Sequence, residues 1–267
     1  MFMNILSDRS VFKISGEESF NFLQSVVTAD ISPLKKGKAV ASCLLSAQGR
    51  VLYDFLLYPE LNQTDFSCFV DCHYSEKFEL IKKLTMYKLR SKVVINDNDK
   101  LCILVNLKKN NGFFSDPRHP KLPFRTIIEK DISDDNFHED NDFYSKRLDL
   151  CVAEGPSEII RNAALPLDYW MDKTSHVSFT KGCFIGQEVT ARVYHRNKIR
   201  RRLITIKSQV TNFDPKSLPD KNFRFINYIG KIILLLAPVN LIDEFVESKQ
   251  KPELKWYNKY IKFNYYF

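Results

Sequence analysis

The segment of this chain best suited to chemistry runs from 181 to 192 and reads Lys-Gly-Cys-Phe-Ile-Gly-Gln-Glu-Val-Thr-Ala-Arg. Gly182 and Gly186 allow the backbone to turn where a side chain would resist. Beyond Gly186 the sequence favours a helix. Glu188 sits in its first turn, where the helix dipole stabilises a carboxylate. Cys183 then precedes a helix N-terminus with Lys181 two positions away, and both favour thiolate, the nucleophilic form, over thiol. The alternative is a buried, inert cysteine, a common fate of free thiols.

Other residues could bind rather than react. Between 181 and 202, Lys181, Arg192, Arg196, Lys198, Arg200, Arg201 and Arg202 stand against a single acid, Glu188. Such a cluster suits a carboxylate tail or a phosphate backbone, or a solvated strand edge that resists pairing. Asp54 lies in the otherwise apolar stretch 51–58, where a carboxylate is costly unless paired or used. Asp168 and Asp172 lie in the aromatic, acidic run Leu-Pro-Leu-Asp-Tyr-Trp-Met-Asp at 165–172. Acid beside aromatic ring suits a flat heterocycle that donates hydrogen bonds; the alternative is a loop clamped to the core by Trp170. Cys68, Cys72 and His73 fall one ligand short of a closed zinc site, and no metal is expected.

Composition bounds these readings. The chain has 267 residues, 44% hydrophobic and 27% charged, with a formal net charge of +8. That is globular composition, with a basic excess that suggests an anionic partner. The six cysteines contain no CxxC pair, and charged residues interrupt positions 1–16, so reduced thiols in a cytosolic protein are expected. The apolar run at 232–239 is too short for the roughly 20 residues of a membrane helix.

The elements that must position these residues follow from hydrophobic period. Ser15 to Glu18 reads as a capping box before a helix at 16–28. A strand at 38–46, a turn at 47–50 and a strand at 51–58 form a hairpin. A short strand at 66–70 precedes a helix at 74–90 with Phe78, Ile81, Leu84 and Tyr87 on one stripe. Strands at 92–95 and 101–107 follow, then a loop at 108–123, an acidic stretch at 129–142, and short helices at 143–152 and 156–164. The whole reads as α+β layering. Past 198 the chain turns to short strands and an aromatic tail, which marks a small C-terminal β domain.

The 181–192 segment resembles the signature of the folate-binding YgfZ/GcvT family, through Lys181, Gly182, Cys183, Gly186, Gln187, Glu188 and Arg192. Residues 20–30, the Ala-Gln-Gly-Arg turn at 47–50 with its strand to Phe55, 84–93, 116–118 and 144–147 extend the likeness over roughly 15–205. The family is related to the glycine cleavage aminomethyltransferase and to the mitochondrial iron–sulfur assembly protein. The resemblance implies a three-subdomain folate-binding fold with a small, barrel-like C-terminal β domain. It divides the chain into a GcvT-like region of two interleaved α+β subdomains at 1–197 and the β domain at 198–267, which matches weakly.

The resemblance further implies a tetrahydrofolate-binding accessory protein for assembly or repair of iron–sulfur clusters. Cys183 is the family's signature cysteine, which the aminomethyltransferase branch generally lacks. The family's pterin-facing acid falls on Asp168. Of that branch's paired hairpin acids only Asp54 carries over, with Tyr53 beside it. Lys181, Gln187, Glu188 and Arg192 complete the expected folate set, a cation such as Arg192 meeting the glutamate tail. The expected partners are folate and iron–sulfur client or assembly proteins, for a monomeric cytoplasmic protein. Two alternatives are an aminomethyltransferase that uses Asp54 on folate, and an RNA- or protein-binding module built on the basic 192–202 stretch.

Overall fold

The computed structural model describes residues 3–60, 65–108, 110–129, 137–139, 141–208, 214, 222–247, 253–256 and 259–264. Among these residues three sheets form. The first is antiparallel and ordered β3-β4-β5-β2-β6, from β2 (Arg9–Ser15), β3 (Val40–Leu45), β4 (Val51–Pro59), β5 (Ser67–His73) and β6 (Val94–Asp97). The second runs β8-β7-β1-β9, from β1 (Met3–Ile5), β7 (Leu101–Asn106), β8 (Phe124–Glu129) and β9 (Phe137–Glu139). The third runs β11-β12-β10-β14-β13, from β10 (Arg201–Lys207), β11 (Arg224–Ile229), β12 (Ile232–Pro238), β13 (Glu253–Trp256) and β14 (Lys259–Asn264).

Burial on both faces explains why β3 and β4 read as continuous apolar runs rather than alternations. On one face of the first sheet, Phe12, Ile14, Phe55, Leu57 and Val70 pack under two helices. These are α1 (Ser19–Val26), which contributes Phe22, Leu23 and Val26, and α2 (Lys77–Lys88), which contributes Leu80 and Leu84. On the other face, Val11, Leu56 and Tyr58 meet Ile103 and Val105 of the second sheet and Phe143 of α3 (Asn141–Asp149). A separate core joins the β3–β4 turn to the third sheet through Leu45, Val51, Tyr169, Trp170, Met171, Phe184, Leu203 and Leu234. Ile204, Ile206, Ile233 and Leu235 pack under Ile242 of α5 (Val239–Glu247). No helix among the described residues is long and apolar enough to cross a membrane.

Several elements differ from their sequence reading. The capping box does not form: α1 begins at Ser19, and Glu18 instead accepts the Lys92 backbone N–H at 2.6 Å. Residues 156–164 are turns rather than a helix, since Asn162 and Ala164 bond to Val51 and extend the β4 edge. Strands β1, β2, β8 and β9 and helix α5 were not anticipated. Strand β5 continues to His73, so Cys68 and Cys72 share one strand and one core. Strands β6 and β7 are neighbours in sequence yet enter different sheets. The buried face of α2 is Lys77, Leu80 and Leu84, while Phe78 points outward. Most of the acidic 129–142 stretch and part of the aromatic tail lie outside the described residues.

Candidate functional site

Helix α4 (Gln187–His195) starts where the glycine pattern places it, with Gly186 in the left-handed region at φ 81°. Gly49, in the β3–β4 turn, also has positive φ and packs against this helix start. A Cβ on Gly186 would lie 3.2 Å from Gly49 Cα and would overlap the Ser46 carbonyl oxygen. The two glycines bring hairpin turn and helix together backbone to backbone, as only residues without Cβ can.

The loop before α4 is pinned at several points. Lys181 donates through Nζ to the Val27 and Ala29 carbonyls at 2.6 and 3.0 Å, at the end of α1. Burial lowers its ammonium to about 8, with Asp30 opposing. Phe184 is buried in the core, and Phe179 stacks on Tyr194 at 4.0 Å between centroids. Cys183, on the same loop, is exposed; four of the other five cysteines are buried and Cys102 is half-buried.

Beside the same helix lies a cleft of about 660 Å³. Val189, Thr190 and Val193 of α4 form one wall, Gly49 and the 165–168 loop a second, and Lys198 to Arg201 with Pro238 a third. Asp168 is its acid. Burial pushes its carboxyl up to about 6, against the pull of Arg202, Arg201, Arg50 and Arg224. Its loop is held rigidly. Arg202 grips Asp172 through two bonds of 2.6 and 3.0 Å, donates to the Leu167 carbonyl and lies 4.1 Å over the Trp170 ring. Trp170 Nε1 donates to the Leu203 carbonyl at 2.7 Å. Asp172 and Trp170 therefore clamp the loop, as the structural alternative had it, and leave Asp168 facing the cleft. The expected pairing of acid with aromatic ring does not form there, because Tyr169 and Trp170 are buried.

Asp54 lies elsewhere. It is buried and accepts the Gly155 backbone N–H at 3.2 Å on each oxygen. Burial raises its carboxyl above the ordinary value, with Arg9 opposing and Glu154 reinforcing. It borders an interior charge network. In that network Arg9 and Arg125 hold Asp71 at 2.6 and 3.0 Å, Arg118 and Arg125 hold Asp116 at 2.7 and 3.1 Å, and both also hold Glu154. Buried charges persist only when so compensated. Among the described residues, no group of three or more His, Cys, Asp or Glu side chains is placed to hold a metal ion.

The expected set is thus divided. Asp168 faces the cleft, and Cys183 and Lys181 sit on the loop leading into its helical wall. Asp54 is not in the cleft. Gln187 opens α4, while Glu188 and Arg192 pair with each other at 2.7 Å on the exposed side of that helix. Glu188 and Arg192 are a turn apart, whereas the cleft takes the Val189 and Val193 stripe. The cations that do line the cleft are Lys198, Arg200 and Arg201, and Gly49 completes its wall. The i, i+4 spacing of Val189 and Val193 was the available signal for which side of α4 faces inward.

No protein-family model matches the chain. A protein of Neurospora crassa named iron–sulfur cluster assembly factor IBA57 homolog, mitochondrial, is 31% identical over 229 residues, 74% of this chain and 52% of its own length. The human iron–sulfur cluster assembly factor IBA57, mitochondrial, is 29% identical over 231 residues, 76% of this chain and 65% of its own. The chain thus spans less than two thirds of these relatives. Among solved structures, the glycine cleavage system aminomethyltransferase T of Bartonella henselae matches with a TM-score of 0.67 at 13% identity, covering 98% of this chain and 83% of that one. That likeness establishes the α+β, GcvT-like fold. The relatives' mitochondrial names overturn the cytoplasmic expectation: free thiols report a reducing compartment, not which one.

Proposed function

We propose that the chain, similar over about three quarters of its length to the IBA57 iron–sulfur cluster assembly factors, belongs with them in the YgfZ/GcvT family and serves in assembling or repairing iron–sulfur clusters, in the mitochondrion. In this reading it binds a tetrahydrofolate-type ligand in the Asp168 cleft and engages a client or assembly protein through Cys183.

The observation that carries the reading is the make-up of the cleft. Its volume of about 660 Å³ lies within the range of small-molecule sites. Asp168 accepts no hydrogen bond from the described residues, so its carboxylate is open to the N–H groups of a flat heterocycle. Lys198, Arg200 and Arg201 share the cleft and suit the carboxylates of a glutamate tail through charge-assisted bonds. Val189 and Val193 add apolar surface to the same cleft, which can cover a ring without competing for its polar edge. These residues fit a reduced folate, which would supply one-carbon or redox chemistry when bound.

Cys183 acts outside the cleft lining. Its loop is anchored by Lys181 and Phe184, so the thiol is exposed at a defined place. The transferase alternative needs Asp54, the one hairpin acid that carries over from that branch, against N5 or N10 of the folate. Asp54 is instead buried against Gly155, which supports the accessory reading over transfer.

Calorimetry with tetrahydrofolate on the full chain tests the ligand. Binding should weaken at least about tenfold in Asp168→Asn and persist in Cys183→Ala, the loss of one buried polar contact. Equal affinity in wild type and Asp168→Asn would remove the folate reading. In a strain lacking the protein, Cys183→Ala should fail to restore iron–sulfur enzyme activity; full restoration would remove the role of the thiol.

A further inference from the structure

The outward face of α2 is unusually apolar. Phe78 is 73% exposed, Met86 60% and Leu89 83%. Phe78, Lys82 and Met86 recur at i, i+4 and i+8 along the helix, and Leu89 follows at its C-cap. Beside these residues lies a second concavity, of about 230 Å³, lined by Leu52, Tyr53, Glu79, Lys82, Lys83 and Met86. It shares no residue with the Asp168 cleft.

Two further observations bear on this face. Leu89 ends the helix with φ 47°, a left-handed backbone that a leucine resists, and its side chain is held in solvent. Backbone strain of this kind clusters at ligand clamps and switch regions. The charges are also lopsided. Lys82 and Lys83 line the concavity, and Lys88 and Arg90 follow at the helix end. None of these four is ion-paired to a described residue, and Lys83 lies 5.1 Å over the Tyr87 ring.

We infer that this face of α2 docks an acidic, apolar segment of a partner protein, a leucine or phenylalanine entering the concavity and carboxylates meeting Lys82 and Lys83. Exposed apolar side chains and unpaired cations together call for a ligand that is apolar at its centre and anionic at its edge, the pattern of helix-in-groove recognition. A phosphate backbone offers nothing apolar to cover Phe78 and Met86, which sets a protein segment above a nucleic acid. The surface is independent of the folate reading, because neither α2 nor the concavity contributes to that cleft.

The test uses the full chain and two synthetic amphipathic helical peptides. Both carry leucines along one stripe; one has glutamates beside them and the other lysines. Fluorescence anisotropy should show binding of the glutamate peptide, weakened by salt, and none of the lysine peptide. Phe78→Ser and Lys82→Glu should each weaken binding about tenfold, as loss of an anchor or of a steering charge does. Both positions are exposed, so melting temperature should not change in either variant, which separates docking from stability. Equal binding of both peptides, absence of binding by the glutamate peptide, or binding indifferent to both variants would overturn the inference. So would sedimentation showing a wild-type dimer abolished by Phe78→Ser, which makes a second copy the occupant. Attachment to phosphatidylglycerol vesicles lost in the same variant would make it a lipid surface.

Discussion

Replacing Gly186 by alanine should destabilise the protein, while the same change at Gly182, in the same motif, should not. At Gly186 the backbone has φ 81°, and a new Cβ would lie 2.9 Å from Leu45 Cβ as well as overlapping the Ser46 carbonyl. Holding an L residue in the left-handed region costs about 1–2 kcal/mol, and overpacking a filled contact about 1–3 kcal/mol, so a loss of about 3 kcal/mol is expected. Neither the carbonyl nor the Gly49 Cα can give way without moving the hairpin turn. At Gly182 the φ is not positive, and a Cβ meets nothing within 4 Å. That change should stay within about 0.5 kcal/mol, as for surface positions free of special features. The assay is thermal unfolding by circular dichroism. For a chain of this size about 3 kcal/mol corresponds to a drop of about 6–12 °C. A Gly186→Ala variant that melts with wild type, or a Gly182→Ala variant that falls equally, would refute the argument from close approach.

Three other outcomes follow from the same geometry. Arg202→Ala strands the Asp172 carboxylate, which is 1% exposed, and should cost about 3–5 kcal/mol in urea unfolding. Burial pushes the Asp168 carboxyl up to about 6 from an ordinary 3.8, so between those values the folded state binds more protons and stability falls as pH rises. Asp168→Asn should abolish that fall and stabilise the protein at neutral pH by about 1–2 kcal/mol, after discounting for its partial exposure; urea midpoints across the interval check it. Lys181→Met removes the donor shared by the Val27 and Ala29 carbonyls and should cost about 1–3 kcal/mol by thermal melting.

Local order was legible in the residues. The start of α4 after Gly186, the hairpin around the 47–50 turn, and the strand and helix character of 51–58 and 77–88 all follow from glycine placement and apolar spacing. The 181–192 signature placed the fold through its resemblance to the YgfZ/GcvT family, and of its two glycines only Gly186 sits at a backbone approach that leaves no room for a Cβ. Cys183 was read as preceding a helix N-terminus, and it does, exposed on an anchored loop.

What the sequence left open was decided by which surface each element meets. Asp54 finds Gly155, which is 101 positions away, and no local pattern predicts that partner. The cation cluster at 192–202 divides between an exposed pair on α4 and a cleft edge at Lys198 to Arg201, because a helix turn and the entry to a strand direct neighbouring side chains to different sides. Helix α2 turns Leu84 inward and Phe78 outward, although both belong to the apolar stripe read from the sequence, and buries Leu80, which that stripe left out. Hydrophobic spacing encodes that an element has faces. Only the packing of distant strands and helices against one another determines which face is covered, and so which side chains remain free to bind.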